Sequence, residues 1–221
     1  MRSELFGGYV EAGTQDRFAL QNTRLLRVRL EGDVMARQGS MVAYQGDVDF
    51  AYQGSGGMSK FLKKAFTSEG LPIMKVSGRG EVFLADDADE IHLIALEGDS
   101  VTVNGRNVLA FDPGLSWDIR KVEGASMMAG GVFNTVFTGT GQLAITAHGT
   151  PVVLTVDAPT YVDVQAAVAW SSTLKTNVRR TAGAGALIGR GSGEAYQLGF
   201  SGDGFVVVQP SEGRVAPPHS H

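Results

Sequence analysis

Val76-Ser77-Gly78-Arg79-Gly80-Glu81-Val82-Phe83-Leu84 is one of three stretches with a common plan: an apolar residue, two glycines one residue apart, then apolar residues at alternate positions. The second is Phe137-Thr138-Gly139-Thr140-Gly141-Gln142-Leu143-Ala144-Ile145, and the third is Phe200-Ser201-Gly202-Asp203-Gly204-Phe205-Val206-Val207-Val208. The marked positions share parity, so in an extended chain they point to one face. Val82 and Leu84, Leu143 and Ile145, and Val206 and Val208 would bury that face. Gly78, Gly80, Gly139, Gly141, Gly202 and Gly204 lie on it and offer no side chain. Glycine inside a strand marks a bend, a bulge or a close backbone approach. The expectation is a strand that bends at Gly-x-Gly and passes from one sheet to another. A tight turn joining two strands is the rival. A β-branched residue at Gly139 or Gly202 should therefore be destabilising.

Three copies at similar spacing point to a repeat architecture, with modules over residues 1–88, 89–148 and 149–214 and a disordered tail at 215–221. A looser landmark agrees. Gly32-Asp33-Val34-Met35-Ala36, Arg106-Asn107-Val108-Leu109-Ala110 and Pro159-Thr160-Tyr161-Val162-Asp163-Val164 each put a turn before an apolar strand. Met41-Val42, Leu115-Ser116-Trp117 and Val168-Ala169-Trp170 follow, which aligns Trp117 with Trp170.

Between these landmarks, residues 18–30 read as strand, turn, strand around Gln21-Asn22-Thr23. Residues 34–44 hold a strand interrupted near Gly39. Asp86-Asp87-Ala88-Asp89-Glu90 is an acidic turn. Ile91–Ala95 and Val101–Val103 read as separate strands divided by Gly98-Asp99, and Asn104-Gly105 is a hairpin signal. The one helix expected is Ser59–Phe66, with Phe61, Leu62, Ala65 and Phe66 opposite Lys60, Lys63 and Lys64. The fold class is all-β: three small β-sandwich modules of the short double-stranded β-helix kind.

The 221 residues are 43% hydrophobic and 19% charged, enough to bury a core. The net charge of −4 argues against nucleic acid as a partner, since phosphate binding needs a basic footprint. Cysteine is absent, which excludes disulfides, thiolate metal sites and a cysteine nucleophile. The first residues lack an apolar signal region, and no apolar run reaches the ~18 residues of a membrane span. A cytoplasmic protein is the expectation, with peripheral membrane contact as an option.

Each Gly-x-Gly follows a flexible, partly apolar segment. In register, these segments would gather Phe61, Leu62, Phe66, Met127, Met128, Leu187 and Ile188 on one face, a candidate partner or membrane contact. The competing reading, in which they plug their own sheets, is favoured because apolar residues are usually inside. The Gly-rich run from Gly183 to Gly193 resembles a phosphate loop only superficially, because a strand rather than a helix follows it. His219 and His221 have metal-ligand spacing but lie in the tail. His92 among Asp86, Asp87, Asp89 and Glu90 reads as surface, and no calcium-loop spacing is present. No Gly-x-Ser-x-Gly elbow occurs. No catalytic residue, cofactor or metal site is expected.

The three Gly-x-Gly strands, the Gly56-Gly57 to Phe66 insertion and the closing stretch from Gly193 to Gln209 resemble the altered-inheritance-of-mitochondria family. The resemblance runs over roughly Leu5 to Gln209. It implies a fold like the tryptophan RNA-binding attenuation protein, whose small β modules build rings. It carries over neither tryptophan nor RNA binding, since no basic set recurs in register, and it brings no catalytic residues.

The resulting expectation is a non-enzymatic oligomeric scaffold or binding protein. The alternatives are a peripheral membrane protein and a small-ligand or carbohydrate binder or hydrolase. The last strand, Phe205–Val208, is apolar on both faces and is expected to form an edge needing cover. Head-to-tail closure would then give a homotrimeric ring, and Val207→Lys would weaken it.

Overall fold

The computed structural model describes residues 3–52, 71–121, 133–180 and 196–211. Apart from a four-residue helix, α1 (Leu5–Gly8), and a 3₁₀ turn at Gly105–Asn107, its regular structure is all strand. The Ser59–Phe66 helix and the apolar residues Phe61, Leu62, Phe66, Met127, Met128, Leu187 and Ile188 lie outside the described residues.

The first Gly-x-Gly stretch lies inside one continuous strand, β5 (Ile73–Leu84). Before it come β1 (Phe18–Asn22), β2 (Leu25–Leu30), β3 (Val34–Arg37) and β4 (Met41–Tyr52). β4 pairs along the whole of β5, while the opposite edge of β5 is shared: β2 meets Gly80–Leu84 and β3 meets Ile73–Val76. The chain changes partner at the glycines. Gly46 of β4 stands opposite Gly80, and the three glycines Gly46, Gly78 and Gly80 all have positive φ. A Cβ on Gly78 would strike the Asp47 carbonyl oxygen, and one on Gly80 the Gln45 carbonyl oxygen. Two backbones approach here too closely for any side chain, which is why the bend needs glycine.

The second stretch lies inside β9 (Phe133–Ala147). β6 (Glu90–Asn104) runs along one edge of it, and the other edge is shared between β7 (Val108–Phe111) on the C-terminal half and β8 (Ser116–Lys121) on the N-terminal half. In the third stretch the bend is complete. β14 (Tyr196–Ser201) and β15 (Gly204–Val208) are separate strands in different sheets, parted at Gly202-Asp203. β14 lies between β11 (Thr160–Asp163) and β13 (Lys175–Arg180); β15 lies between β10 (Val152–Val156) and β12 (Ala167–Ser171). Passage between sheets thus occurs at the third copy, whereas the first two copies remain single bent strands.

All strand pairings are antiparallel, in a twelve-stranded sheet and a three-stranded one. The larger sheet is continuous across residues 88 and 148, because β3 pairs with β7 and β6 pairs with β12. The core is continuous too. Phe111, Phe137 and Leu143 pack with Met35 and Ile73 on one side and Val168 and Ala169 on the other. A second cluster joins Val82 and Leu84 to Ile91, Leu109 and Ala144; a third surrounds Trp170 and Phe200, whose rings meet edge to face at 5.4 Å. Val82, Leu84, Leu143, Ile145 and Val206 are buried, as their parity requires, and each contributes about 1.5–3 kcal/mol of hydrophobic stabilisation.

An N-terminal strap precedes β1. Arg27, buried on β2, donates to the carbonyls of Thr14 (2.8 Å), Asp16 (3.2 Å) and Ala12 (3.4 Å), with Glu81 3.5 Å away. Arg17 at the strap's end binds Asp112 at 2.5 Å, and Asp112 also accepts the Gln142 backbone N–H at 2.7 Å.

Several sequence expectations need correction. Residues 90–104 form one strand rather than two, because Gly98 is absorbed as a bulge between Glu97 and Asp99. Asn104-Gly105 makes no hairpin: β6 and β7 both pair with β9, and Asn104 instead caps the 3₁₀ turn by accepting from the Arg106 N–H. Strand β15 is not an edge. It lies between β10 and β12, and Val207 packs partly against the core, so Val207→Lys would damage the fold rather than report on assembly.

Candidate assembly interface

Three short strand segments carry an apolar-x-Ala-aromatic pattern: Met41-Val42-Ala43-Tyr44, Val108-Leu109-Ala110-Phe111 and Ala167-Val168-Ala169-Trp170. Each makes the same irregular pairing. Met41, Val108 and Ala167 face Leu84, Ile145 and Val208; a bulge follows; then Ala43, Ala110 and Ala169 face Phe83, Ala144 and Val207. The bulge tilts the strand, and its outer edge becomes available to another strand. β7 uses that edge to pair with β3, placing Met35 opposite Phe111 and Ala36 opposite Ala110. β12 uses it to pair with β6, placing Thr102 opposite Trp170 and Val103 opposite Ala169. β4 uses it for nothing: among the described residues it pairs only with β5.

Polar side chains lock both used seams. Arg37, at the end of β3, donates through Nε to the Val108 carbonyl at 2.9 Å, bonds the Arg106 carbonyl and pairs with Asp86. Burial pushes the Arg37 guanidinium below its usual value, opposed by Asp86 and Asp89. Asn104, at the end of β6, is buried and donates to the Val164 and Ala167 carbonyls, both at 3.2 Å. Arg37 and Asn104 thus reach the same place on the next segment, the residue that opens the bulge. Behind the second seam, Gln209 accepts from the His148 N–H at 3.0 Å and donates to the Gln165 carbonyl at 3.0 Å. These polar residues carry no sequence motif; only the apolar-x-Ala-aromatic pattern was there to be found.

The sequence-selected groups take structural places. Asp89 binds His148 at 2.7 Å, Glu90 accepts from Thr150 at 3.0 Å, and Asp86 pairs with Arg37, so the acidic turn is engaged by its own neighbours. Among the described residues, no three His, Cys, Asp or Glu side chains gather as metal ligands. No described helix is long and apolar enough to cross a membrane. Gly78, Gly80, Gly139 and Gly141 lie inside bent strands, and Gly202 and Gly204 at the break between β14 and β15.

Where exposed large apolar residues gather, they mark candidate contact surfaces. Among the described residues they fall in two places. Leu5, Phe6, Tyr9 and Val10 of the strap and Val42 and Tyr44 of β4 lie at one end of the chain; Val152, Val153, Leu154, Tyr161 and Phe205 lie at the other. Between Gln45 and Pro151, the residues whose exposure is described hold none.

A family model described as mitochondrial biogenesis AIM24 matches residues 18–211. Among solved structures, a Streptococcus pyogenes protein from a structural genomics programme superposes with a TM-score of 0.71 at 24% identity, covering 88% of this chain and 92% of its own. That likeness concerns the fold. No curated protein matches the chain.

Proposed function

Because the chain belongs to the mitochondrial biogenesis AIM24 family, which brings a fold without an assigned chemistry, we propose that it is a non-enzymatic, self-associating β scaffold or binding protein, with a homotrimer as its assembled form. The observation that carries this reading is the confinement, among the residues whose exposure is described, of exposed large apolar side chains to the N-terminal and C-terminal portions of the sequence. A monomer would leave Val42 and Tyr44 at one end and Val152, Val153 and Phe205 at the other in water, and apolar patches of that kind mark association surfaces. Two different apolar sets favour a head-to-tail contact over a like-to-like one, and such a contact closes into a ring or runs on as a fibre.

The same reading treats residues 1–88, 89–148 and 149–214 as three versions of one module. It is supported by the common bulge at Met41, Val108 and Ala167 and by the common exchange of partners at each Gly-x-Gly. The likeness to the ring-forming tryptophan RNA-binding attenuation protein and a cytoplasmic setting, with or without contact to a membrane surface, belong to this proposal as well. Sedimentation velocity of the full chain at micromolar concentration tests it. A species of three chain masses is expected, and a monomer over the whole concentration range would overturn it. Flotation with anionic liposomes at low salt decides whether membrane contact is part of the function.

A further inference from the structure

We propose that strand β11 of one chain pairs antiparallel with the first half of β4 of a second copy, with Tyr161 opposite Tyr44 and Val162 opposite Ala43. The inference rests on the self-association reading above and assigns the edges that carry it.

The register follows from pairings inside the chain. Two residues before the first glycine of each Gly-x-Gly stand Val76, Phe137 and Phe200, and their partners are Val34, Val101 and Thr160. The next residues along those partner strands are Met35, Thr102 and Tyr161, so these three hold one position. Met35 is opposite Phe111 and Thr102 is opposite Trp170. Phe111, Trp170 and Tyr44 likewise hold one position, facing Leu143, Val206 and Val82 beyond the bulge. The rule met twice inside the chain leaves one donor edge, β11, and one acceptor edge, β4. Among the described residues β11 pairs only with β14 and β4 only with β5.

Exposure agrees with this assignment at each position. Met35 is 8% exposed and Thr102 7%, whereas Tyr161 is 47% exposed. Phe111 is 0% and Trp170 2%, whereas Tyr44 is 50%. The two residues left open are the two that the rule pairs with each other. Tyr161 is also held in place for such a contact. Its ring lies across Gly199, where a Cβ would come within 3.2 Å of it, and the Arg179 guanidinium sits 5.2 Å from the ring centre. Adding a strand at an open edge satisfies unpaired backbone groups while the facing side chains supply register, which makes a second copy a fitting occupant.

The chain has no cysteine, so the pairing can be read by cross-linking. Facing cross-strand Cβ atoms lie about 4.5–5.5 Å apart, close enough for a disulfide after small adjustment or for a short bismaleimide. Three full-length variants are made: Tyr44→Cys, Tyr161→Cys and the double. Circular dichroism checks that each folds, which half-exposed positions should allow. The proposal expects no linked species from either single variant alone. It expects a linked dimer when the two single variants are mixed, and chain-to-chain linkage in the double variant. Linkage of a single variant with itself would mean that like edges meet, and it would overturn the proposal. Linkage in the double variant only within one chain would overturn it as well. Absence of linkage in protein that still sediments as an oligomer would overturn this edge assignment while leaving the scaffold reading standing. A monomeric wild type would overturn both.

Discussion

Gly80, the second glycine of its pair, and Gly139, the first of its own, both lie within long strands, yet they are needed for different reasons. Gly80 has φ +141° and faces the Gln45 carbonyl oxygen, so a side chain there has no space. Gly139 has φ +121° but nothing nearer than 3.9 Å, so only its backbone conformation excludes other residues. Gly139→Ala should cost about 1–3 kcal/mol, the range for a residue held in an unfavourable φ/ψ region. Gly80→Ala adds a collision between backbones, which the β4–β5 pair relieves only by separating, and should cost more. Urea unfolding measures both, and equal losses would show that close approach matters less than conformation. The sequence announced that these glycines share a face and mark a bend. It held no sign of which would be crowded, because crowding depends on Gly46 in the partner strand.

At the level of strands, the alternation of apolar residues was legible wherever one strand packs against one core. Residues 18–30 and the interruption near Gly39 appear as their turn residues suggest. Legibility failed where pairing overrode a local signal. Gly98 reads as a break but is carried as a bulge, since β9 continues past it and supplies partners on both sides. Asn104-Gly105 reads as a hairpin, yet Asn104 is committed to the seam with β12. Fixed-offset alignment set Trp117 against Trp170, whereas the pairings set Trp170 against Phe111; the loops between landmarks differ in length, so equal spacing misplaces equivalent residues. Asn104→Ala would strip one hydrogen bond each from the Val164 and Ala167 carbonyls in a buried place and should cost about 1–3 kcal/mol. Guanidinium unfolding of this variant against Arg106→Ala, whose contact with Gln165 is exposed, tests that the buried seam matters more.

For the molecule as a whole, the proposed self-association would make stability depend on concentration. The melting temperature of the wild type should rise with protein concentration, because assembly draws on the folded chain alone. Tyr44→Arg places a charge on the open edge of β4 and should flatten that dependence while leaving the dilute-limit melting temperature nearly unchanged; calorimetry across a hundredfold concentration range reads both. An all-β architecture was legible at this scale from composition and alternation. The location of the open edges was not, because Phe205–Val208 looks like an edge in sequence and becomes interior once β10 and β12 flank it. The strap held by Arg27 carries a different lesson. Its three acceptors are main-chain carbonyls, which every amino acid supplies equally, so for these three bonds the information for attachment resides on one side only. Ala12, Thr14 and Asp16 are free to vary without altering what the guanidinium binds, whereas Arg27→Leu should loosen the strap, leaving it the contacts of Gln21 with Ala12 and of Arg29 with Gln15. Limited proteolysis would then cut Arg27→Leu within residues 9–16 while sparing Ala12→Ser and Asp16→Ala: a fastening specified by its buckle and indifferent to the cloth.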